Sequence, residues 1–405
     1  MKKAFLIVAA LLIMTSVVSA AILSQWRGEN RDGVYDDENL MDSWPDDGPT
    51  LLWSADQLGE GFSSAAVTQD RIYVTGLIEE QGYVSAFNMQ GKQLWKSGYG
   101  PDHHESHPGS RTTPTVTSDG KLYLLSGVGN AVCMNAESGK ILWNVNVIDK
   151  FDGENLRWGI TESPLVNNDA VYVTPGNKTM MAALDRHSGS TMWTTPGNGQ
   201  SSGYCSPVLV NHNGRQLILQ MMQTSVVAIN PQNGALVWSH PHKTDWDVHP
   251  NTPIYHNGHV LIYSGYGTGG QLLKLSDDGS SVSRVWENNT MDSQIGAAVL
   301  LDEHIYVSGH KNRGWHCVNW QTGKTLYSDN TFRKGPVIAS DGKLIVYTEG
   351  GNCALVNPNP DKFEIINQFE ITMGSNPHWA HPVVNDGRLY IRHGDVLMVY
   401  DIAAK

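Results

Sequence analysis

Cysteine is scarce in this sequence. Only four of the 405 residues are cysteines, and no two of them are adjacent or form a C-x-x-C pair. This spacing excludes the common zinc and thiol-redox motifs. We therefore expect Cys133, Cys205, Cys317 and Cys353 to be buried free thiols, with a Cys317–Cys353 bridge between neighbouring repeats as the only pair to test.

Positive charge is also in deficit. The chain has 28 Lys and Arg against 40 Asp and Glu, and its formal net charge is −12. An acidic protein is repelled by phosphate backbones and by anionic lipid. Nucleic acid is therefore excluded as an expected partner.

Long apolar runs are absent beyond the first residues, which resemble a bacterial secretory signal peptide. Lys2 and Lys3 precede an apolar stretch over 4–14, and small residues lead up to Ala20. We expect residues 1–20 to be a cleaved signal peptide and the mature chain to be periplasmic or secreted. No cysteine follows the cut and no later segment is apolar enough to span a bilayer, so neither a lipid anchor nor a membrane span is expected.

Tryptophan, by contrast, is abundant and regularly spaced. Residues 86–95 read AFNMQGKQLW and residues 134–143 read MNAESGKILW. Similar segments end at intervals of 42 to 50 residues on Trp53, Trp95, Trp143, Trp193, Trp238 and Trp286. A β-rich repeat of this length cannot bury its own apolar face, so copies must pack on one another. The pattern predicts a β-propeller.

The number of blades follows from the strand that opens each repeat. Openings occur at 63–67, 112–116, 162–166, 205–209, 251–255, 296–300, 334–338 and 380–384, which makes eight. Asx-Gly pairs such as Asp119-Gly120 follow most openings and are typical of tight hairpins. In the sixth and seventh repeats, Tyr327 and Phe369 stand where tryptophan is expected.

The eighth repeat is one strand short, because the chain ends soon after Asp401. Residues 50–57 carry Trp53 but follow no repeat of their own, so they can supply the missing outer strand. We therefore predict an all-β fold, an eight-bladed propeller of four-stranded antiparallel blades. The predicted propeller domain is 50–405, and residues 21–49 form a lead-in segment packed on the ring.

The repeat ends resemble the tryptophan-docking motif of the pyrroloquinoline quinone (PQQ) propeller superfamily, whose consensus is A-x-D-x-x-T-G-x-x-x-W. Residues 319–324, NWQTGK, keep part of this motif without the tryptophan. Further stretches resemble an exported PQQ-like subgroup: QWRGENRDG at 25–33, RWGITESP at 157–164, SGYGTG at 264–269 and HPVV at 381–384. The resemblance covers almost the whole mature chain and implies the propeller fold.

The resemblance leaves the activity open. The superfamily contains quinone-dependent alcohol and sugar dehydrogenases, and also non-catalytic members that include an outer-membrane assembly scaffold lipoprotein. The dehydrogenases typically carry two adjacent cysteines against the quinone, which this sequence lacks. The scaffold carries a lipid-anchor cysteine, which is also missing here. No cofactor-binding residue is therefore transferred.

Candidate ligand residues lie on one face of the ring. Strand direction brings the blade-entry loops and the loops between second and third strands together, and three entry loops are long: 97–111, 146–161 and 240–250. The candidates on this face are Arg111, Arg157, Trp158, Glu162, Tyr204, Trp246, Asn251, His378, Trp379 and His381. The aromatic ones either stack on a ligand or pack loop on loop. The arginines either bind an anion or, for Arg157, pair with Glu162.

A metal site is a further hypothesis. His103, His104 and His107 place three imidazoles within five residues, and imidazole suits zinc, copper or nickel. The alternative is exposed loop histidines without a ligand, since the spacing matches no motif of fixed geometry. The glycine-rich stretch 264–270 lacks a following helix and is not expected to bind a nucleotide.

These observations favour an exported, non-catalytic binding or scaffold module that is not an enzyme. Its expected partner is a protein, glycan or small molecule on the loop face. The alternative is a PQQ-dependent oxidoreductase acting on alcohols or sugars, in which calcium accompanies the quinone and a carboxylate accepts the alcohol proton. A metal-dependent enzyme is a third possibility.

Overall fold

The computed structural model describes residues 21–295 and 298–405. The predicted signal peptide, 1–20, lies outside the described residues. Blades one and two begin after three N-terminal strands. The strands to this point are β1 (Ile22–Ser24), β2 (Val34–Tyr35), β3 (Thr50–Ala55), β4 (Ala66–Val67), β5 (Arg71–Ile78), β6 (Gln81–Asn88), β7 (Gln93–Pro101), β8 (Thr115–Thr117), β9 (Lys121–Leu125), β10 (Asn130–Asn135) and β11 (Ile141–Asn146). A single-turn helix, α1 (Val147–Lys150), follows blade two.

Blades three to five continue the same four-strand order. Their strands are β12 (Leu165–Asn167), β13 (Ala170–Val173), β14 (Thr179–Asp185), β15 (Thr191–Pro196), β16 (Val208–His212), β17 (Arg215–Met221), β18 (Ser225–Ile229), β19 (Leu236–Pro241), β20 (Ile254–His256), β21 (His259–Ser264), β22 (Gly269–Leu275) and β23 (Val282–Asn288).

Blades six to eight complete the ring. Their strands are β24 (Ala298–Leu301), β25 (His304–Gly309), β26 (Gly314–Asn319), β27 (Thr325–Asp329), β28 (Val337–Ser340), β29 (Lys343–Tyr347), β30 (Asn352–Asn357), β31 (Glu364–Glu370), β32 (Val383–Asn385), β33 (Arg388–His393) and β34 (Val396–Asp401).

Eight sheets built on antiparallel four-strand blades confirm the predicted propeller. Closure by the N-terminal strand is confirmed as well, because β3 is the outer strand of blade eight and pairs antiparallel with β34. Leu51 lies opposite Tyr400 and Trp53 lies opposite Val399. This pairing removes the open edge that an incomplete last blade would leave.

Five of the repeat tryptophans dock one blade onto the next. The indole of Trp143 donates to the carbonyl of Arg186 in blade three at 3.0 Å. Its ring covers Gly189, where an added Cβ would lie only 2.9 Å from it. The same relation recurs for Gly91 under Trp53, Gly139 under Trp95, Gly234 under Trp193 and Gly323 under Trp286. The glycine and tryptophan of the repeat are thus two halves of one interblade contact.

The degraded seventh closer is compensated by the N-terminal segment. Phe369 packs edge-on against Trp44 with ring centroids 5.5 Å apart, and its ring covers Gly48. Gly48 lies two residues before β3, so it takes the place of the turn glycine that blade eight lacks. The segment before the ring therefore supplies both a strand and a docking surface.

The first strands of the chain enter the central channel. β1 pairs antiparallel with β8, the inner strand of blade two, and β2 pairs parallel with β28, the inner strand of blade seven. Residues 25–33 join them across the channel, and Arg27 and Arg31 are each only 2% exposed. We call residues 22–35 the channel segment.

The two arginines of the channel segment bind opposite sides of the ring. Arg31 donates to the carbonyls of Ser163 at 2.9 Å, Pro164 at 2.6 Å and Pro207 at 3.0 Å in blades three and four. Arg27 donates to the carbonyl of Ala298 in blade six at 2.6 Å. Buried guanidiniums satisfied by carbonyls in this way hold the segment in place.

All four cysteines are buried free thiols, as expected, and the Cys317–Cys353 bridge is not formed. Within the described ranges, no helix has the length and apolar character needed to cross a membrane.

Candidate functional site

A pocket of about 470 Å³ occupies the loop-face mouth of the channel. Every blade contributes to its wall, through the residue just before the blade's opening or, in blade seven, through the first residue of the opening. These residues are Phe62, Arg111, Thr161, Tyr204, Pro250, Ile295, Lys334 and Trp379. Because the position recurs in each repeat, the ring brings together residues that are far apart in the chain. We call this cavity the mouth pocket.

The walls of the mouth pocket are largely aromatic. The rings are those of Trp26, Phe62, Trp158, Tyr204, Tyr266 and Trp379. Phe62 and Trp379 have centroids 5.1 Å apart, and Trp158 lies 6.1 Å from Tyr204. Aromatic pairs at these distances hold one another in place and present a large apolar surface.

Two cations face this aromatic surface. Arg111 donates to the carbonyls of Gly109 at 2.7 Å and His107 at 2.6 Å, and its guanidinium lies 5.6 Å from the Phe62 ring centre. Burial lowers the pKa of Arg111 to about 10, so the group stays charged at neutral pH. Lys334 lies 2.8 Å from Nδ1 of His310 and 3.5 Å from Glu349. Burial also lowers the pKa of Lys334.

The floor of the mouth pocket is formed by the channel segment and His381. Trp26 meets His381 edge-on at 5.4 Å. Burial lowers the pKa of His381 to about 3, so the imidazole is neutral. Its Nδ1 accepts from Arg27 at 3.0 Å and its Nε2–H donates to the carbonyl of Ile295 at 2.9 Å. Both ring nitrogens are therefore committed to the protein.

Glu162 lies immediately behind the pocket wall. It follows Thr161 in the chain, is only 1% exposed, and neither carboxylate oxygen has a hydrogen-bond partner among the described residues. Burial raises the pKa of Glu162 to about 8, and the neighbouring Thr174 and then Arg31 oppose that shift. The predicted alternative of an Arg157–Glu162 ion pair is not formed: Arg157 is exposed and lies 5.0 Å from the Trp158 ring centre.

The remaining predicted ligand residues lie away from the mouth pocket. Asn251 is buried and donates to the carbonyls of Tyr263 at 2.8 Å and Ser293 at 2.9 Å. Trp246 is 55% exposed. His378 stacks on His393 with ring centres 3.6 Å apart. Of the ten residues predicted for the ligand face, the structure thus brings together Arg111, Trp158, Tyr204, Trp379 and His381.

Sequence reasoning missed the rest of the lining. Phe62, Thr161 and Lys334 lie at or beside the blade openings, so aligning the eight openings would have identified them. Trp26 and Tyr266 have no such signal, because their place depends on how the channel segment and a loop between strands fold over the ring.

The three histidines proposed for a metal do not share one centre. His103 is buried and its Nε2 lies 3.0 Å from the carbonyl of Ser106, whereas His104 lies 3.9 Å from Glu80. His107 packs on Trp379 at 5.4 Å. No group of three or more His, Cys, Asp or Glu in residues 21–295 and 298–405 is arranged to hold a metal ion. Metal binding stays a prediction that elemental analysis of the purified protein tests.

PQQ with calcium fits the mouth pocket in only one respect. Aromatic walls with two cations suit a flat anion, but no Asp or Glu belongs to the lining, and no cysteine does either. A calcium ion would therefore lack carboxylate ligands there, and an alcohol would lack a base. The residues that line the mouth pocket therefore do not fit PQQ with calcium.

A known protein-family model matches more than half of the chain. The family model described as "Outer membrane protein assembly factor BamB" matches residues 80–329. Two curated relatives, both uncharacterised proteins, come from Rickettsia conorii and Rickettsia prowazekii and are 23% and 22% identical over 271 residues. Each match covers 64% of this chain but only 59% of the relative.

Solved structures share the fold at low sequence identity. BamB from Moraxella catarrhalis has a TM-score of 0.63 at 17% identity, covering 87% of this chain and 99% of that one. A europium-containing methanol dehydrogenase has a TM-score of 0.66 at 14% identity, covering 92% and 90%. A quinohemoprotein alcohol dehydrogenase from Comamonas testosteroni has a TM-score of 0.64 at 12% identity, covering 93% and 79%. At these identities the likeness establishes the fold alone.

Proposed function

Because this chain belongs to the PQQ-like propeller family described as outer membrane protein assembly factor BamB, we propose that it is an exported, non-catalytic scaffold that binds a protein partner on its loop face. The observation that carries the proposal is the mouth pocket, an aromatic cavity with two cations to which all eight blades contribute. The family description names an assembly factor, and such a role requires a binding surface rather than a reaction centre.

The chemistry of the mouth pocket defines the partner segment it would accept. Six aromatic rings provide apolar area. Arg111 and Lys334 provide positive charge, and the carboxylate nearest to them is Glu349, which pairs with Lys334 at 3.5 Å from outside the lining. A volume of about 470 Å³ lies within the ordinary range for ligand cavities. The best-matched occupant is a peptide segment that places aromatic or aliphatic side chains next to carboxylates. Glycans and small anions are outcomes of the test.

The polar groups around the pocket are arranged for holding a ligand. Arg111 is fixed by two carbonyls, and both nitrogens of His381 are engaged. No nucleophile with an adjacent free base occurs in the lining, so the pocket lacks the reactive pair that nucleophilic catalysis needs. A pre-organised cavity without a reactive pair supports a binding role.

The proposal is tested by fluorescence anisotropy with a labelled heptapeptide of alternating Phe and Glu. We expect saturable binding, weakened about five- to tenfold in the Arg111→Gln/Lys334→Gln variant, since it loses both cations. The Lys243→Gln/Lys311→Gln variant is the matched control, because it removes two exposed charges outside the pocket lining. Equal binding of an alternating Phe and Lys peptide, or no saturable binding, would contradict the proposal.

The alternative activity is tested on the same preparation. The mature protein is titrated with PQQ and calcium while quinone absorbance is followed, and dye reduction is assayed with a panel of alcohols and sugars. We expect no turnover, since the pocket lining offers no carboxylate to accept the alcohol proton. Saturable PQQ binding with turnover would replace the scaffold proposal by the oxidoreductase.

A further inference from the structure

The propeller already accepts added strands on its inner edges. Ser24 of β1 lies opposite Val116 in blade two, and Val34 of β2 lies beside Ala339 in blade seven. In both blades the channel segment turns a four-stranded sheet into a five-stranded one. The inner edges of this ring are therefore able to pair with an extended chain.

Blades three, four and five keep their inner edges open. In the described part of the chain, β12, β16 and β20 each form the outermost strand of their sheet on the channel side. A groove of about 520 Å³ runs along them, lined on the blade side by residues 165–167, 208–211 and 253–256. The channel segment forms the opposite wall through residues 29–32. We call this cavity the edge groove, and it opens on the face of the ring away from the mouth pocket.

The register of blade four shows which peptide groups face the edge groove. Asn213 and Gly214 both have positive φ, 50° and 86°, and form a two-residue hairpin turn between His212 and Arg215. The flanking pair of such a hairpin is hydrogen-bonded, so bonding alternates back along the strand. The N–H and C=O groups of Leu209 and Asn211 therefore point away from β17 and toward the channel. Among the described residues, no backbone hydrogen bond reaches them from that side.

The charge of the groove wall indicates which kind of partner strand would bind there. Glu29 is exposed in the groove wall. Asp32 also lines the groove, accepts from the N–H of Val34 at 3.0 Å and lies near the charge of Arg27. Arg31 also lines the groove, but its guanidinium donates to the carbonyls of blades three and four rather than to Glu29 or Asp32. Cations on an incoming strand would complement this wall.

We propose that the edge groove binds an extended, basic segment of a partner protein as an added strand on β16. Main-chain hydrogen bonds to Leu209 and Asn211 supply the pairing, and Glu29 and Asp32 contact the cationic side chains. Blade four is the centre of the groove, and β16, at five residues, is longer than β12 and β20, at three residues each. This site is separate from the mouth pocket and binds the opposite charge.

The probe is a fluorescein-labelled octapeptide of alternating Lys and Val. Two further versions carry N-methyl groups on the Lys or on the Val residues, so that each removes the donors of one strand edge. We expect one N-methylated version to bind at least about tenfold more weakly and the other to bind like the parent, because an added strand uses one edge only. The Glu29→Gln/Asp32→Asn variant is expected to weaken the parent about three- to tenfold.

Two controls test whether the peptide binds in the edge groove. Asp46→Asn/Asp47→Asn removes two exposed carboxylates outside the groove and is expected to leave binding unchanged. The alternating Phe and Glu peptide is expected not to compete, which separates this result from that of the mouth pocket. Competition, equal affinity for an alternating Glu and Val peptide, or indifference to N-methylation of both edges would each overturn the proposal.

Discussion

Arg27 and His381 lie 354 positions apart in the chain, and their side chains meet at 3.0 Å in the central channel. The guanidinium donates from Nη1 to Nδ1 of an imidazole that burial keeps neutral. One residue belongs to the channel segment and the other to the floor of the mouth pocket. The shape of the pocket therefore depends on the segment that precedes the ring, and removing that segment would remove part of the floor.

Replacing Arg31 by Met is expected to lower the free energy of unfolding by about 2–4 kcal/mol, because three buried carbonyls lose their donor. The comparison variant is Arg284→Met, whose side chain is 49% exposed and pairs with Glu287 at the surface. It should cost at most about 1 kcal/mol. Urea unfolding followed by tryptophan fluorescence measures both. Equal losses would show that Arg31 does not hold the channel together.

Glu162 is expected to make stability fall as pH rises. Its pKa is about 8 in the folded protein and near 4.5 when unfolded, so between these values the unfolded chain releases a proton that the folded chain keeps. The contribution of Glu162 to the free energy of unfolding is therefore largest below pH 4.5. About 3–5 kcal/mol of that contribution is lost by pH 8. Glu162→Gln should remove this slope in urea unfolding across pH 5–8. An unchanged slope in the variant would assign the pH dependence elsewhere.

Gly189 tests the interblade contact of the repeat. Gly189→Ala adds a Cβ that meets the Trp143 ring and strains a backbone with φ of 71°. Gly120→Ala has nearly the same strain, with φ of 74°, but its Cβ meets nothing within 4 Å. We expect losses of about 2–4 kcal/mol for Gly189→Ala and about 1 kcal/mol for Gly120→Ala. If the two glycines cost the same in thermal unfolding, the tryptophan contact contributes nothing beyond the turn.

The four cysteines are expected to be unreactive in the folded protein. Burial raises the pKa of Cys133, Cys205 and Cys317 to about 12 and that of Cys353 higher, so the thiolate is scarcely populated at pH 8. A chromogenic disulfide reagent should titrate no thiol in buffer and four in 6 M guanidinium. Fewer than four in denaturant would mean that two cysteines form a disulfide.

The propeller fold was predictable because short sequence patterns within each repeat determine it. The turn glycine and the closing tryptophan recur at a fixed distance, and each pair forms a contact between neighbours, so the repeat period gives the ring directly. Trp53 without a repeat before it and Asp401 without a strand after it together located the closure.

Half of the predicted ligand face could be located for the same reason, since Arg111, Tyr204 and Trp379 occupy equivalent positions before the blade openings. The position of the channel segment inside the ring could not be predicted from the sequence. Arg27 and Arg31 bind backbone carbonyls and a neutral histidine, and these acceptors leave no complementary charge in the sequence to pair them with. From the sequence alone, a buried arginine in an acidic loop looks the same as a solvent-exposed one.

Pairing of β3 with β34 imposes an order on folding. Thr50 and Asp401 stand at opposite extremes of the ring sequence, so the final sheet cannot assemble until nearly every residue has been synthesised. Residues 22–35 pair with the inner strands of blades two and seven, so the closed ring surrounds them. The earliest-made outer strand of the ring therefore pairs with the latest-made strand, and a chain interrupted before β34 would leave β3 without its partner.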